Sequence, residues 1–261
     1  MHTPKVLKID EVIRESKDVK TFIFKWNGKM PQPGQFMMVW NFKDEKPMSV
    51  SFIDHVERKI GISIKKVGEF TSEVHKLTPG DMLGLRGPYG RSFKIIGEKI
   101  LAIGGGIGMA PIVPLIEEAR KRDVKVDAVV AAKTKDELLF LKRIKKSGAK
   151  IFPCTEDGSY GFKGLVTEFI SNKLNENQYD MAVVCGPELM MKKLFEILDI
   201  PTQFSLERYM KCGCGICGQC CVDKTGWRVC VEGPVFWDYE LKMIEEFGVY
   251  KRNSKGIPKK F

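Results

Sequence analysis

The sequence has few histidines and lacks a long apolar run. Only three of the 261 residues are histidines, and their positions match no metal-binding spacing, so we assign them no role. The longest apolar candidate, residues 100–116, is interrupted by glycines and prolines, whereas a membrane helix needs about 18 uninterrupted apolar residues. No secretory signal peptide is evident. These absences predict a cytoplasmic protein with no membrane partner.

The sequence also lacks a cluster of basic residues interleaved with aromatic ones. Its formal net charge is +10, but the 43 Lys and Arg residues are spread along the chain among 33 Asp and Glu residues. This distribution predicts no nucleic-acid partner, and leaves the excess charge to steer dinucleotides or an acidic partner. The length and the 43% hydrophobic content predict two domains, each with its own core, and a small appendage.

Cysteine, by contrast, is concentrated in one segment: six of the eight cysteines fall between residues 212 and 230. The spacing Cys212-x4-Cys217-x2-Cys220, followed at a distance by Cys230, is typical of plant-type 2Fe-2S clusters. Thiolates bind soft metals, and the glycines between these cysteines allow the tight turns that point several thiolates at one centre. The segment therefore predicts a 2Fe-2S cluster.

Two other interpretations of the cysteine-rich segment remain open. A structural zinc site is the nearest rival, although its commonest form uses two Cys-x2-Cys pairs and this segment has one flanked by outliers. A disulfide framework is less favoured, because the rest of the chain holds only Cys154 and Cys185. The x4-x2 spacing gives no ligand role to Cys214 and Cys221, a selection that rests on spacing alone.

Short apolar or alternating runs, separated by turn signals such as Asn27-Gly28, fill the first hundred residues. They predict six β-strands, at 6–9, 20–24, 35–40, 47–53, 59–65 and 81–86. Strands at this spacing indicate a small antiparallel β-barrel, which we assign to a first domain, residues 1–97.

One strand of this barrel carries a cation, a proline and a hydroxyl in the run Lys46-Pro47-Met48-Ser49. With Pro33-Gly34-Gln35-Phe36 and Gly87-Pro88-Tyr89-Gly90, this run resembles the FAD-binding barrel of the ferredoxin reductase family. That family usually has Arg-Pro-x-Ser, so Lys46 is a departure that keeps the charge but loses the planar fork of arginine. The resemblance implies further flavin contacts on the next strand and at a phosphate turn: Ser63, Ile64, Lys65, Phe70 and Thr71.

The chain then changes to alternating buried strands and amphipathic helices. An apolar strand at 99–103 runs into a glycine loop, 104–111, after which apolar residues follow at helical spacing. The remaining strands and helices are predicted at 124–132, 136–147, 150–154, 166–173, 181–184 and 188–198. This alternation predicts a doubly wound parallel α/β sheet, residues 98–204, whose ligands bind at the carboxyl ends of the strands.

Several loops of this second domain are expected at that edge. A glycine loop between strand and helix turns backbone amides toward a phosphate, and the resemblance to the reductases implies that four glycines hold the pyrophosphate of NAD(H): Gly104, Gly105, Gly106 and Gly108. It also implies that Cys185, Gly186 and Pro187 lie near the nicotinamide, with Cys185 as the catalytic residue that helps position the hydride. A buried structural thiol is the alternative for Cys185. Glu156 and Asp157 favour NAD over NADP, because they would repel a 2′-phosphate.

Two segments near the C-terminus carry the most specific resemblance. The runs 205–213 (SLERYMKCG) and 230–236 (CVEGPVF) make the chain similar to the electron-transfer subunits of dihydroorotate dehydrogenase B over essentially its whole length. The fold implied is β + α/β multidomain: an antiparallel flavin-binding β-barrel, a doubly wound parallel α/β nucleotide domain, and a small C-terminal iron–sulfur subdomain, residues 205–261. The resemblance implies four cluster ligands: Cys212, Cys217, Cys220 and Cys230.

The same resemblance implies cofactors and a partner. The expected cofactors are FAD, a 2Fe-2S cluster and NAD(H). The expected partner is an FMN-containing dihydroorotate dehydrogenase catalytic subunit of pyrimidine biosynthesis, in a heterotetramer with two of each subunit. Electrons would pass from dihydroorotate through the partner's FMN to the cluster, then to FAD and NAD.

Two alternative functions stay open. One is the small subunit of a related ferredoxin:NADP oxidoreductase or sulfide dehydrogenase complex, and the other is a zinc-stabilised protein-interaction module. The tail is predicted to form a helix that ends at Gly248, followed by a frayed basic end or a docking segment.

Overall fold

The computed structural model of the chain describes residues 3–174 and 178–261. Two seven-stranded sheets and a small hairpin account for its strands. Within the described ranges, no helix has the length and apolar character to cross a membrane.

The first sheet is antiparallel and contains the first seven strands in the order β1-β7-β4-β5-β6-β3-β2. These are β1 (Lys5–Lys8), β2 (Glu11–Arg14), β3 (Val19–Lys25), β4 (Phe36–Trp40), β5 (Glu45–Asp54), β6 (Lys59–Lys65) and β7 (Met82–Tyr89). Strands β1 and β2 lie at opposite ends of this order, although only Ile9 and Asp10 separate them in sequence. Ile9 donates its amide to the Asp81 carbonyl and Asp10 donates to Ile23, so this one segment joins both edges and the sheet curls into a barrel.

Alternating side chains fill this barrel. Phe22 and Phe24 of β3 and Met37 and Val39 of β4 are buried, because every second residue of a strand points to the same face. Helix α1 (Glu69–Val74) packs on the barrel through buried side chains. The predicted strands are confirmed, and β2 is an additional strand that the sequence patterns did not indicate.

The second sheet has the order β11-β10-β9-β8-β12-β13-β14 and is parallel except for its last strand. Its strands are β8 (Lys99–Gly105), β9 (Lys125–Ala132), β10 (Lys150–Thr155), β11 (Phe162–Lys163), β12 (Met181–Cys185), β13 (Thr202–Ser205) and β14 (Val235–Trp237). The helices are α2 (Met109–Lys121), α3 (Leu141–Lys146), α4 (Val166–Lys173) and α5 (Glu188–Ile197). Apolar clusters cover both faces of the sheet, as the predicted doubly wound fold requires.

One predicted helix of this domain, 136–147, is wrong over its first half. A short 3-10 turn at Lys135–Glu137 is followed by an extended Leu138 and a left-handed Phe140, and α3 starts only at Leu141. Leu138, Leu139 and Phe140 are all buried. Successive residues of a helix point about 100° apart, so three consecutive side chains reach the core better from an irregular segment.

The C-terminal part of the chain is tied to the second sheet. Strand β14 pairs with β13 and follows the cysteine-rich segment, and the predicted boundary between residues 204 and 205 falls within β13. The predicted tail helix is shorter than expected, because α6 (Asp238–Leu241) gives way to turns before Gly248. The basic end forms a hairpin of β15 (Tyr250–Arg252) and β16 (Pro258–Lys260).

Candidate cofactor sites

The strand predicted to bind flavin, β5, is partly accessible where it carries Lys46, Pro47, Met48 and Ser49, all of them half-buried. The ammonium of Lys46 lies 2.5 Å from an Asp44 carboxylate oxygen and 5.8 Å from the ring centre of Tyr209. The cation is therefore held beside the segment that leads into the cysteine loop.

The next strand predicted to bind flavin is β6, and most of its side chains contact other residues of the barrel. The hydroxyl of Ser63 lies 2.7 Å from Ser51 Oγ and 2.6 Å from Thr21 Oγ1, and Ile64 is buried in the barrel core. Lys65 is half-buried and its ammonium lies 3.4 Å from Asp18. A ligand would therefore meet the backbone of this strand or the Lys65 side chain.

The predicted phosphate turn opens helix α1 at Gly68. Thr71 Oγ1 accepts hydrogen bonds from the amides of Val67 and Gly68, at 2.9 and 3.0 Å, and Phe70 is buried in the barrel core. The Thr71 hydroxyl thus fixes the start of the helix, while the space beside Gly68 is open to 4 Å.

The glycine loop and the Cys185-Gly186-Pro187 turn contact each other at the carboxyl edge of the second sheet. A Cβ placed on Gly108 would lie 2.5 Å from the Cys185 carbonyl oxygen, and one placed on Gly186 would lie 3.1 Å from the amide of Gly105. Gly106 has a φ of +53° with open space around it. Because the two loops approach so closely, Gly108 and Gly186 leave no room for a side chain. Both are among the residues that the sequence analysis predicted to bind NAD(H).

Replacing Gly108 by alanine tests this close approach. The added methyl group would push the glycine loop away from Cys185, so we expect flavin reduction by NADH to slow by about tenfold or more, as displaced reactants do. Rapid mixing with NADH measures the rate, and the iron and flavin contents should stay at the wild-type level. An unchanged rate would contradict a nicotinamide site between these two loops.

The Cys185 thiol is held neutral. Burial and the charge of Glu207 raise its pKa to about 12, although the Ser205 hydroxyl and the Gly186 amide oppose this shift through hydrogen bonds. Ser205 ends β13, the neighbour of β12 in the sheet, and Glu207 follows it. In the sequence, Ser205 and Glu207 stood only within the family-like run 205–213, with no role at this site, although their position at the end of a strand of the same sheet edge was an available signal.

A Cys185→Ala variant tests the role of this thiol. We expect flavin reduction by NADH to slow by about tenfold because the nicotinamide loses a packing contact. The raised pKa keeps the Cys185 thiol protonated far above neutrality. The rate of flavin reduction in the wild type should therefore show no inflection from Cys185 between about pH 6 and pH 10. Cys154→Ala, the same change at another buried thiol, should leave the rate unchanged. A pH inflection that Cys185→Ala abolishes would contradict a neutral thiol.

The cysteine loop places its predicted ligand thiols in two contacting pairs. The Cys212 thiol contacts that of Cys217, and the Cys220 thiol contacts that of Cys230. The Cys214 thiol, which is not a predicted ligand, also contacts that of Cys212. Burial opposes ionisation of Cys212, but hydrogen bonds from the amides of Cys217, Cys214 and Ile216 outweigh it and lower its pKa to about 6. The loop therefore offers a thiolate at neutral pH.

The second pair is less exposed. The hydrogen bond from the Cys230 thiol lowers the pKa of Cys220 to about 7 against the effect of burial, and the same contact raises the pKa of Cys230. Cys220 and Cys230 are buried, whereas Cys217 is exposed. Among the described residues, no three His, Cys, Asp or Glu side chains are grouped around one metal-sized position. Two separate thiol pairs suit two iron atoms better than one tetrahedral zinc ion.

A buried ionic network supports the cysteine loop. Arg208 donates two hydrogen bonds to Glu188, at 2.6 and 2.8 Å, and a third to Glu246 at 2.8 Å. Burial disfavours the Arg208 charge, but both carboxylates outweigh it and raise its pKa. Glu246 also accepts hydrogen bonds from the Asp223 amide and from Arg252. The network therefore connects α5, the cysteine loop and the C-terminal hairpin.

Known families match both functional parts of the chain. Residues 207–242 match the iron–sulfur cluster binding domain of dihydroorotate dehydrogenase B, and residues 102–195 match the oxidoreductase NAD-binding domain. A protein of Methanothermobacter thermautotrophicus, named "Probable dihydroorotate dehydrogenase B (NAD(+)), electron transfer subunit", is 58% identical over 98% of this chain and 97% of its own length. This chain belongs to the family of dihydroorotate dehydrogenase B electron-transfer subunits. The resemblance inferred from the sequence is confirmed.

Other members and solved structures agree with this membership. A Methanocaldococcus jannaschii protein of the same name is 49% identical over 98% of both chains. An NADH-dependent reduced ferredoxin-NADP oxidoreductase superposes with a TM-score of 0.80, at 26% identity over 95% of both chains. A Neisseria gonorrhoeae ferredoxin NADP+ reductase, solved with FAD and NADP, has a TM-score of 0.64 at 19% identity, over 74% of this chain and 89% of its own. The predicted fold, a barrel followed by a parallel α/β sheet with an iron–sulfur binding domain at the C-terminus, is confirmed.

Proposed function

We propose that this subunit carries electrons between a dihydroorotate-oxidising partner and NAD, through a 2Fe-2S cluster in the cysteine loop and FAD on the barrel. The observation that carries the proposal is the pairing of thiols, Cys212 with Cys217 and Cys220 with Cys230, in a member of this family. Two pairs of thiolates match the four ligands of a 2Fe-2S cluster. When bound, a flavin supplies the chemistry that links a two-electron hydride carrier to a one-electron centre.

Each part of the chain has its own task in this proposal. Residues 46–49 and the backbone of β6 hold the flavin, and Lys46 offers its charge to the diphosphate. The contacting loops around Gly108 and Gly186 hold the NAD(H) pyrophosphate and nicotinamide. The neutral Cys185 thiol packs beside the nicotinamide and excludes water without adding charge. NAD rather than NADP is the proposed cofactor, because Glu156 and Asp157 are exposed next to β10 at the same edge.

The proposed partner holds FMN and the dihydroorotate site, and the complex contains two copies of each subunit. The names of the relatives, which describe an electron transfer subunit, support a separate catalytic partner. We place the complex in the cytoplasm, where thiols that ligate a cluster stay reduced.

Reconstitution with the catalytic subunit tests this function. The complex should reduce NAD+ in the presence of dihydroorotate, and the catalytic subunit alone should reduce an artificial dye but not NAD+. Mixing this subunit alone with dihydroorotate should give no NADH. Dihydroorotate-dependent NAD+ reduction by the catalytic subunit alone would contradict the proposal.

A further inference from the structure

Three neighbouring strands of the barrel contact one short segment of the cysteine loop, residues 209–214. From β5, the Lys46 ammonium lies over the ring of Tyr209. From β4, Met38 lies so close that a Cβ on Gly213 would be 2.8 Å from its Cγ. From β7, Arg86 donates a 2.7 Å hydrogen bond to the Cys212 carbonyl. The segment that contains the first predicted cluster ligand is thereby packed on β5, which carries four of the predicted flavin residues, and on two strands near it, β4 and β7.

Of the three side chains that make these contacts, Arg86 forms the most hydrogen bonds. Its Nε and Nη2 donate to the two carboxylate oxygens of Glu45, at 2.6 and 2.5 Å, and its Nη1 donates to Cys212 and, at 3.2 Å, to Tyr89. The Arg86 side chain is 12% exposed and the Glu45 side chain 21% exposed. A bidentate pair fixes the plane of the guanidinium, so the remaining N–H groups point in set directions.

The backbone of the cysteine loop turns sharply beside the Arg86 guanidinium. Gly213 has a φ of +68°, a left-handed conformation that turns the chain directly after Cys212, and a side chain there would collide with Met38. The Cys214 thiol also lies close to the Arg86 side chain. The same guanidinium therefore contacts the residue on each side of the turn.

We propose that Arg86, oriented by Glu45, is a positioning residue that fixes the Cys212 end of the cluster loop against the flavin barrel for electron transfer between them. The inference rests on the proposed function and goes beyond it, because Arg86 is itself neither a predicted cluster ligand nor a predicted flavin contact and acts through the Cys212 backbone. Lysine cannot reproduce this role, because a single ammonium cannot bind both Glu45 oxygens and the Cys212 carbonyl in fixed directions.

The matched control is Arg91. It also forms a bidentate pair, with the two carboxylate oxygens of Glu240 at 2.9 and 3.0 Å, and it also joins the end of the barrel to the C-terminal part of the chain. The contacts of Arg91 lie outside the cysteine loop. Arg91→Met therefore removes a bidentate Arg–Glu pair of the barrel, a more exposed one, without changing the position of Cys212.

The test follows both centres of the cofactor-loaded protein after rapid mixing with NADH. NADH delivers two electrons to the flavin as a hydride, and one of them then passes to the cluster, which bleaches its absorbance and gives an electron paramagnetic resonance signal. In Arg86→Met, flavin reduction should keep its wild-type rate, while cluster reduction slows by about ten- to a hundredfold because the loop is displaced. In Arg91→Met both rates should match the wild type.

A second measurement does not depend on electron transfer. Amide hydrogen exchange of residues 211–217 should become faster in Arg86→Met and stay unchanged in Arg91→Met. If the Arg86→Met variant does not assemble its cluster, the Arg86→Lys variant is used in its place. Cluster reduction in Arg86→Lys should still be slower than in the wild type.

The outcomes separate this inference from the proposed function. Cluster reduction at the wild-type rate in an Arg86 variant that holds both centres would overturn the role of Arg86 and leave the proposed function intact. Equal slowing of flavin and cluster reduction in Arg86→Met would also overturn it, because the effect would then not be specific to the loop. A wild-type chain that binds neither iron nor flavin would contradict the proposed function itself.

Discussion

Cys220→Ala is expected to abolish the 2Fe-2S cluster, with the iron content falling from about two atoms per chain to near zero. Cys220 is buried and its thiol contacts that of Cys230, so the change removes one of the four predicted ligands from a position that water does not reach. The loss should be seen in the visible spectrum and in the iron assay. Flavin should remain bound, because its predicted contacts lie on β5 and β6.

The controls for this change are the two cysteines that the x4-x2 spacing leaves out. Cys214 is exposed and Cys221 is half-buried, and both thiols have a pKa raised by burial and by the charge of a neighbouring cysteine. Cys214→Ala and Cys221→Ala should each keep about two irons per chain. Iron loss in either control together with retention in Cys220→Ala would show that the ligand assignment is wrong.

The second large effect is on stability. Arg208→Met should lower the free energy of unfolding by about 3–5 kcal/mol, because it leaves the buried Glu188 carboxylate without a cation and removes one of the two cations that pair with Glu246. The side chain of Arg208 is 3% exposed and those of its partners 4% and 1%, so water cannot compensate. Urea unfolding, followed by tryptophan fluorescence, measures the loss.

Arg122→Met is the matched control for this prediction. Arg122 pairs with Glu118 one helical turn away, but the Arg122 side chain is 58% exposed, and such surface pairs contribute at most about 1 kcal/mol. A second variant combines Arg208→Met with Glu188→Gln. It should be more stable than Arg208→Met alone, since the carboxylate that Arg208→Met leaves unpaired is gone. Equal losses in Arg208→Met and Arg122→Met would contradict the account of the network.

Local sequence patterns predicted most of the elements of this fold. Helix α4 has the predicted bounds, and the glycine loop lies between a strand and a helix start at the sheet edge. These features depend on residues close in sequence, whose periodicity and turn signals are visible without a structure. The irregular segment at Leu138–Phe140 was missed because burial by the rest of the domain overrode a helical pattern.

The parts that could not be predicted depend on long-range contacts. Arg86 and Cys212 are 126 residues apart, and no local pattern links them. In the sequence, Arg208 stood out only as part of the family-like run 205–213. Its ion-pair partners could not be predicted, because Glu188 lies on α5 and Glu246 in the tail. The spacing of the predicted cysteine ligands could be recognised in the sequence. Their arrangement in two contacting pairs could be seen only in the folded loop.

The most direct test of the central claim is one spectrum and one elemental analysis on the same anaerobically purified sample. We expect flavin bands with a broad shoulder at longer wavelength, bleaching on addition of NADH, and about two irons and one FAD per chain. Zinc without iron or flavin would contradict the account and leave a zinc-stabilised interaction module in its place.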